Sequence, residues 1–158
     1  MRRAKATKHS DKPVLEAEKE ITVRFSEVDS MNIVWHGAYP LYFEDAREAF
    51  GKKYGLEYLY MFEQGFYAPL VDLHFSYKRP LTYGDTMRIV ITYRDTEAAK
   101  LIFDYVIYSP DNEVAATGYS VQVFLDKNYQ LTWEIPPFIR RWKQMVGLLP
   151  TPNGTAAQ

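Results

Sequence analysis

Cysteine is absent from the 158 residues. That excludes a disulfide scaffold, a zinc–thiolate centre and a cysteine nucleophile. Histidine is scarce as well: His9, His36 and His74 are too scattered to make a metal set, so no metal and no cofactor is expected. Apolar stretches such as Ile89–Val90–Ile91 fall far below the roughly 20 residues needed to span a membrane. No charge sign dominates: 19 Lys and Arg face 20 Asp and Glu, a net charge of −1. This argues against an extended nucleic-acid-binding face. The first 20 residues carry Arg2, Arg3, Lys5 and Lys8 but no apolar signal-peptide core, so a cytoplasmic location and no membrane partner are expected.

Aromatic residues, in contrast, are plentiful: 13 Tyr, 9 Phe and 3 Trp, or 16% of the chain. With 47% apolar residues the chain is too hydrophobic for disorder, and its length suits one domain. Residues 1–20 read as a polar tail, 21–146 as the domain and 147–158 as a second tail.

Ile21–Arg24 is short and β-branched, and predicts a first strand with Phe25 following. From Tyr39 the apolar residues fall at helical spacing: Tyr39, Tyr42, Phe43, Ala46, Ala49 and Phe50, with charged residues opposite. Pro40 suits only a first turn and Gly55 a stop, giving a long helix from about Gly37–Tyr39 to Gly55. A short helix is expected over Glu57–Gln64. The period then becomes two, predicting strands at Ala68–Tyr77, Thr86–Arg94, Lys100–Tyr108 and Glu113–Leu125. Phe138, Trp142 and Met145 predict a short C-terminal helix.

Short connections make antiparallel neighbours, so the class is α+β: a five-stranded antiparallel sheet with one long helix lying on it. Gly118, in mid-strand, marks either a close approach of that helix or a bulge. In Lys100–Tyr108 both faces are apolar, since Ile102, Val106 and Tyr108 alternate with Leu101, Phe103, Tyr105 and Ile107. The second face calls for a cover, and another copy of the chain is the expected one.

The chemistry concentrates in Val23–Phe50, VRFSEVDSMNIVWHGAYPLYFEDAREAF. Asp29 lies in an irregular segment, with His36 seven residues later where the long helix begins. A helix start offers unpaired N–H groups to a developing oxyanion, and a carboxylate beside it can attack a carbonyl or deprotonate a water that does. On spacing alone a turn-capping Asp29 and a satisfied His36 are the favoured reading, since both residue types are common near a helix start.

This stretch resembles the 4-hydroxybenzoyl-CoA thioesterase family of hot-dog proteins, and within it the YbgC-type acyl-CoA thioesterases. The matching residues are Asp29, then Asn32-Ile33-Val34-Trp35-His36, then Tyr39-Pro40-Leu41-Tyr42-Phe43-Glu44-Asp45-Ala46-Arg47. Arg79-Pro80-Leu81, Gly84-Asp85 and Ile135-Pro136 continue the agreement. The resemblance implies a hot-dog fold, its sheet wrapped around the central helix, that hydrolyses an acyl-CoA thioester as a homo-oligomer, a dimer or a tetramer of dimers. Coenzyme A would then be part of the substrate. Asp29 would be the catalytic carboxylate, as nucleophile or as general base, and His36 would lend its backbone N–H. Val34, Trp35 and Tyr39 would shape the acyl site. Asn32 stands where many relatives have glycine, and can adopt the same left-handed conformation. A dehydratase or hydratase, an acyl-carrier-protein thioesterase and a non-enzymatic acyl-thioester-binding protein are the alternatives.

The remaining polar residues have plainer expectations. Glu27 reads as an exposed loop acid rather than as a second carboxylate at the site. Asp72 and His74 read as a hydrogen-bonded pair at a subunit contact, and Glu44 with Arg47 as a helical ion pair. Lys78, Arg79, Arg88 and Lys100 are candidates for coenzyme A phosphates or simply solvated cations.

Overall fold

The computed structural model describes residues 11–152; Arg2, Arg3, Lys5 and Lys8 and the last six residues lie outside them. In chain order the main elements are β1 (Glu16–Thr22), α1 (Tyr39–Tyr54), α2 (Tyr58–Glu63), β2 (Phe66–Tyr67), β3 (Leu70–Tyr77), β4 (Thr86–Arg94), β5 (Lys100–Tyr108), β6 (Val114–Val123), β7 (Leu125–Asp126) and α3 (Pro137–Met145). Five strands form one antiparallel sheet in the order β1-β4-β5-β6-β3. β2 and β7 make a separate two-stranded ladder that the sequence did not announce.

Helix α1 starts with Pro40 in its first turn and ends at Gly55, whose φ of 72° is left-handed. Its apolar stripe, Tyr39, Tyr42, Phe43, Ala46 and Phe50, is buried against the sheet. The sheet answers with Met87, Ile89, Ile91 and Tyr93 of β4 and with Leu101, Phe103, Tyr105 and Ile107 of β5. Gly118 is the point of closest approach, because a Cβ there would collide with the His74 carbonyl and come within 2.7 Å of the Phe43 ring. Two buried polar groups of the sheet are paired: the Tyr105 hydroxyl and Ser120 Oγ lie 2.8 Å apart, and Gln122 Nε2 donates to the Ala68 carbonyl at 2.7 Å.

The first strand begins at Glu16, inside the segment read as a tail, and Ile21–Arg24 is not its span. Leu15 and Ala17 point into the core. The alternation is masked by Glu16, Glu18, Lys19 and Glu20, charges that suit an edge strand. Phe25 begins a 3-10 turn, Phe25–Glu27, and is exposed. At the other end Phe138, Ile139 and Trp142 of α3 are buried but Met145 is exposed. The packed region also runs past residue 146, because Leu148 is buried. Trp142 Nε1 donates to the Tyr54 carbonyl at 2.8 Å and fastens α3 to the end of α1.

Candidate active site

The segment from Glu27 to Trp35 folds into a small hairpin. The Trp35 N–H donates to the Glu27 carbonyl at 3.1 Å, Val28 bridges Val34, and the Asp29 N–H donates to the Ile33 carbonyl at 2.9 Å. The tip is a turn closed by the Asn32 N–H on the Asp29 carbonyl at 3.0 Å. Asn32 takes φ 60°, the left-handed conformation expected of it. The Asp29 side chain caps the turn: Oδ1 accepts the Met31 N–H at 2.8 Å and lies 3.5 Å from the Ile33 nitrogen. Oδ2 has no hydrogen-bond partner among the described residues. A turn-capping role and a free carboxylate oxygen thus coexist in one side chain.

The hairpin is docked on the β3–β4 connection, where the Val34 N–H donates to the Leu81 carbonyl at 2.8 Å and Ile33 bridges Thr82. Asp85 Oδ2 in turn accepts the Thr82 N–H at 2.8 Å and its hydroxyl at 3.1 Å, so the Leu81 to Asp85 motif braces the site. Beyond the hairpin, His36–Ala38 forms a 3-10 turn leading directly into α1. His36 is its first residue, where an N–H has no acceptor within the turn.

Asp29, Val34, Trp35, His36 and Tyr39 all line one cleft of about 490 Å³. Tyr77, Lys78 and Arg79, from the end of β3, complete its wall. The Tyr77 hydroxyl donates to the His36 carbonyl at 3.2 Å, and its ring meets the Tyr39 ring edge-on at 4.8 Å. The Tyr39 phenol is pushed up to about 12 by burial, with a smaller contribution from Tyr77. The Trp35 indole is 45% exposed, stands edge-on to His36 at 5.5 Å, and lies against Gly37 so closely that any Cβ there would collide with it. A larger cavity of about 600 Å³ runs between α1 and α2 over Phe50, Leu101 and Phe103 and contains none of these residues.

Tyr77 was not foreseen as a site residue, since its place depends on a contact between positions 41 apart in the chain. Of the four candidate cations, Lys78 and Arg79 reach the cleft, Arg79 while paired with Glu113 at 3.1 Å. Arg88 is held instead by Glu18, Asn112 and the Tyr108 ring, and Lys100 stands at the start of β5, outside the cleft wall. Glu44 and Arg47 pair at 2.7 Å. Asp72 and His74 do not make the expected hydrogen bond with each other; His74 stacks on Tyr119 across the ladder, ring centroids 5.2 Å apart. Glu27 is not an exposed loop acid but is 7% exposed, because its carboxylate folds back onto the Arg24 N–H.

The sequence profile of the thioesterase-like superfamily matches residues 23–143, and the chain belongs to that family. It is a thioester hydrolase by class. YneP of Bacillus subtilis, provisionally named an acyl-CoA thioesterase, is 37% identical over 111 residues, 70% of this chain and 80% of YneP. The acyl-acyl carrier protein thioesterase ATL3 of Arabidopsis thaliana is 27% identical over 124 residues, 78% of this chain and 65% of ATL3. Among solved structures, the DHNA-CoA thioesterase of Staphylococcus aureus superposes with a TM-score of 0.74 at 24% identity, covering 84% of this chain and 92% of that one. The 1,4-dihydroxy-2-naphthoyl-CoA thioesterase of Synechocystis gives 0.73 at 18% identity, with 87% and 99% covered. At these identities the two structures establish the hot-dog fold.

Proposed function

We propose that the protein hydrolyses acyl-CoA thioesters, with Asp29 as the catalytic carboxylate and the His36 N–H as an oxyanion donor. One observation carries the reading: the residues of the motif converge on a single cleft, and Asp29 keeps one carboxylate oxygen free there. The kinship with YneP supports acyl-CoA as the substrate class.

A thioester suits these parts. Its carbonyl is weakly resonance-stabilised, and its leaving thiolate, with a thiol pKa of about 8.5, departs far more readily than an alkoxide. In the general-base route Asp29 takes a proton from water as the water oxygen attacks the carbonyl carbon. The oxyanion then rests on the His36 N–H. Collapse breaks the C–S bond, and the proton held by Asp29 passes to the departing thiolate. In the nucleophilic route the same carboxylate attacks the carbonyl carbon, the C–S bond breaks to release the thiolate, and water opens the resulting mixed anhydride to the free acid and the regenerated carboxylate. Neither route uses a cofactor, coenzyme A being part of the substrate. Val34, Trp35 and Tyr39 line the cleft, and short, medium, branched and aromatic acyl groups all suit a wall that carries these rings.

The working unit is a homo-oligomer, a dimer or a tetramer of dimers. Support comes from the outer face of β5, where Ile102, Val106 and Tyr108 stay partly exposed, and from the edge strand β3, which presents Leu70 and Val71. Among the described residues no helix is long and apolar enough to cross a membrane. Together with the cysteine-free composition this is consistent with a cytoplasmic site of action.

The test is a panel of acyl-CoA and acyl-carrier-protein thioesters read by free-thiol release. Release from an acyl-CoA is expected. Loss of enoyl-CoA absorbance without thiol would assign a hydratase instead, and release confined to carrier-protein thioesters would reassign the substrate.

A further inference from the structure

Glu27 precedes Asp29 by two residues and does not line the cleft. Its buried carboxylate accepts the Arg24 N–H on Oε1 at 2.8 Å, with Arg24 Nη2 3.5 Å from Oε2. Its carbonyl takes the Trp35 N–H at 3.1 Å, the rung that closes the base of the Asp29 hairpin. On the first turn of α1, the Tyr42 hydroxyl is buried without a partner of hydrogen-bond geometry. Burial raises its pKa most, and the neighbouring Glu27 carboxylate raises it further. The Glu27 side chain thus holds the chain entering the hairpin, its backbone carbonyl holds the residue just before His36, and its carboxylate neighbours the Tyr42 hydroxyl at the start of the central helix.

We propose that Glu27 is a positioning residue for the reaction, fixing the Asp29 carboxylate relative to the His36 N–H at the helix start. The proposal rests on the reading of Asp29 as the catalytic carboxylate. The physical reason is the hairpin's own construction. Asp29 sits one rung beyond the Glu27–Trp35 closure, and His36 is the residue immediately after Trp35. Any slack at that rung changes the spacing of the two reacting groups directly. Misplacement of about 1 Å can cost roughly 100-fold in rate. An apolar residue at position 27 would leave the Arg24 N–H and the buried Tyr42 hydroxyl without the carboxylate they face. Because Glu27 does not line the cleft, its loss should leave substrate binding largely alone.

The experiment compares Glu27→Ala, Glu27→Gln and Asp29→Asn with the wild type, measuring kcat and KM by thiol release and folding by thermal melting. For folded Glu27→Ala, kcat is expected to fall about 10- to 100-fold with KM within about threefold of wild type. Glu27→Gln, which keeps an acceptor for the Arg24 N–H, is expected to recover part of the loss. If Glu27→Ala does not fold, Glu27→Gln decides: a reduced kcat at unchanged KM supports the proposal, and a wild-type kcat overturns it. A loss carried by KM, or a lowered melting temperature with kcat intact, also overturns it. Asp29→Asn separates the two readings. If that variant is inactive while both Glu27 variants turn over normally, only the positioning role fails. If it keeps full rate, the proposed function fails and the positioning role with it.

Discussion

The Phe43 ring of α1 lies parallel to the Tyr105 ring of β5, centroids 3.9 Å apart and 4° from coplanar alignment. This contact is where the helix rests on the sheet, and Gly118 beside it makes the approach possible. A methyl group at 118 must move either the Phe43 ring or the backbone of β3. Gly118→Ala is therefore expected to destabilise by about 1–3 kcal/mol, in the range of core overpacking. A chemical denaturation curve checks this, and unchanged stability would mean that the helix has more room than the structure gives it.

At the tip of the Asp29 hairpin, Asn32 occupies φ 60°. Asn32→Gly removes a side chain that this conformation does not need, so stability and kcat should stay near wild type. Asn32→Ala places an unfavourable residue there, at a cost of about 1–2 kcal/mol. It should also lower kcat, because the turn it distorts is the one Asp29 caps. Paired melting and kinetic measurements on both variants make the comparison.

Away from the site, Asp95 accepts ion pairs from buried Lys143 at 2.9 Å and from Lys12 at 3.0 Å. Burial alone would raise the Asp95 pKa, but the two lysines outweigh it and hold the carboxyl below its usual value. The unfolded chain binds this proton near its ordinary pKa of about 3.9, while the folded chain binds it only at lower pH. The stabilisation is thus fully present above about pH 4 and is lost as the pH falls through the folded value. Lys143→Met should destabilise the protein at pH 7 by about 1–3 kcal/mol, less than a fully buried pair because Lys12 and partial exposure remain. The gap from wild type should narrow as the pH falls below 4. Denaturation series at several pH values test it, and a gap independent of pH would contradict it.

Strands β4 and β5 and the stripe of α1 were legible because their apolar residues repeat at the period of the element and are buried accordingly. The tight contact at Gly118 was one of two readings the sequence left open, and the Phe43 ring decides it. Strand β1 was not, since an edge strand carries charges that hide the inward Leu15 and Ala17. The burial of Glu27 had no local signature either, because it arises when the acid folds back onto Arg24 and meets Tyr42 from another element. Tyr77 belongs to the same class: its position on the strand was evident, but its contact with His36 exists only after the end of β3 meets the start of α1. The Asp29-to-Tyr39 stretch, by contrast, is nearly continuous in sequence, and its residues needed only the hairpin and the 3-10 turn to gather in one cleft.

The central claim is that the Asp29 carboxylate carries out thioester hydrolysis. Asp29→Asn keeps the oxygen that caps the Met31 N–H and removes the charge, so the hairpin should survive while the chemistry does not. The direct measurement is the rate of thiol release from the best acyl-CoA substrate by wild type and Asp29→Asn at equal folded concentration. The account predicts that the variant melts like the wild type and loses at least about 100-fold in kcat, the scale of a lost general acid–base or nucleophilic group. A folded Asp29→Asn variant with wild-type kcat would contradict it.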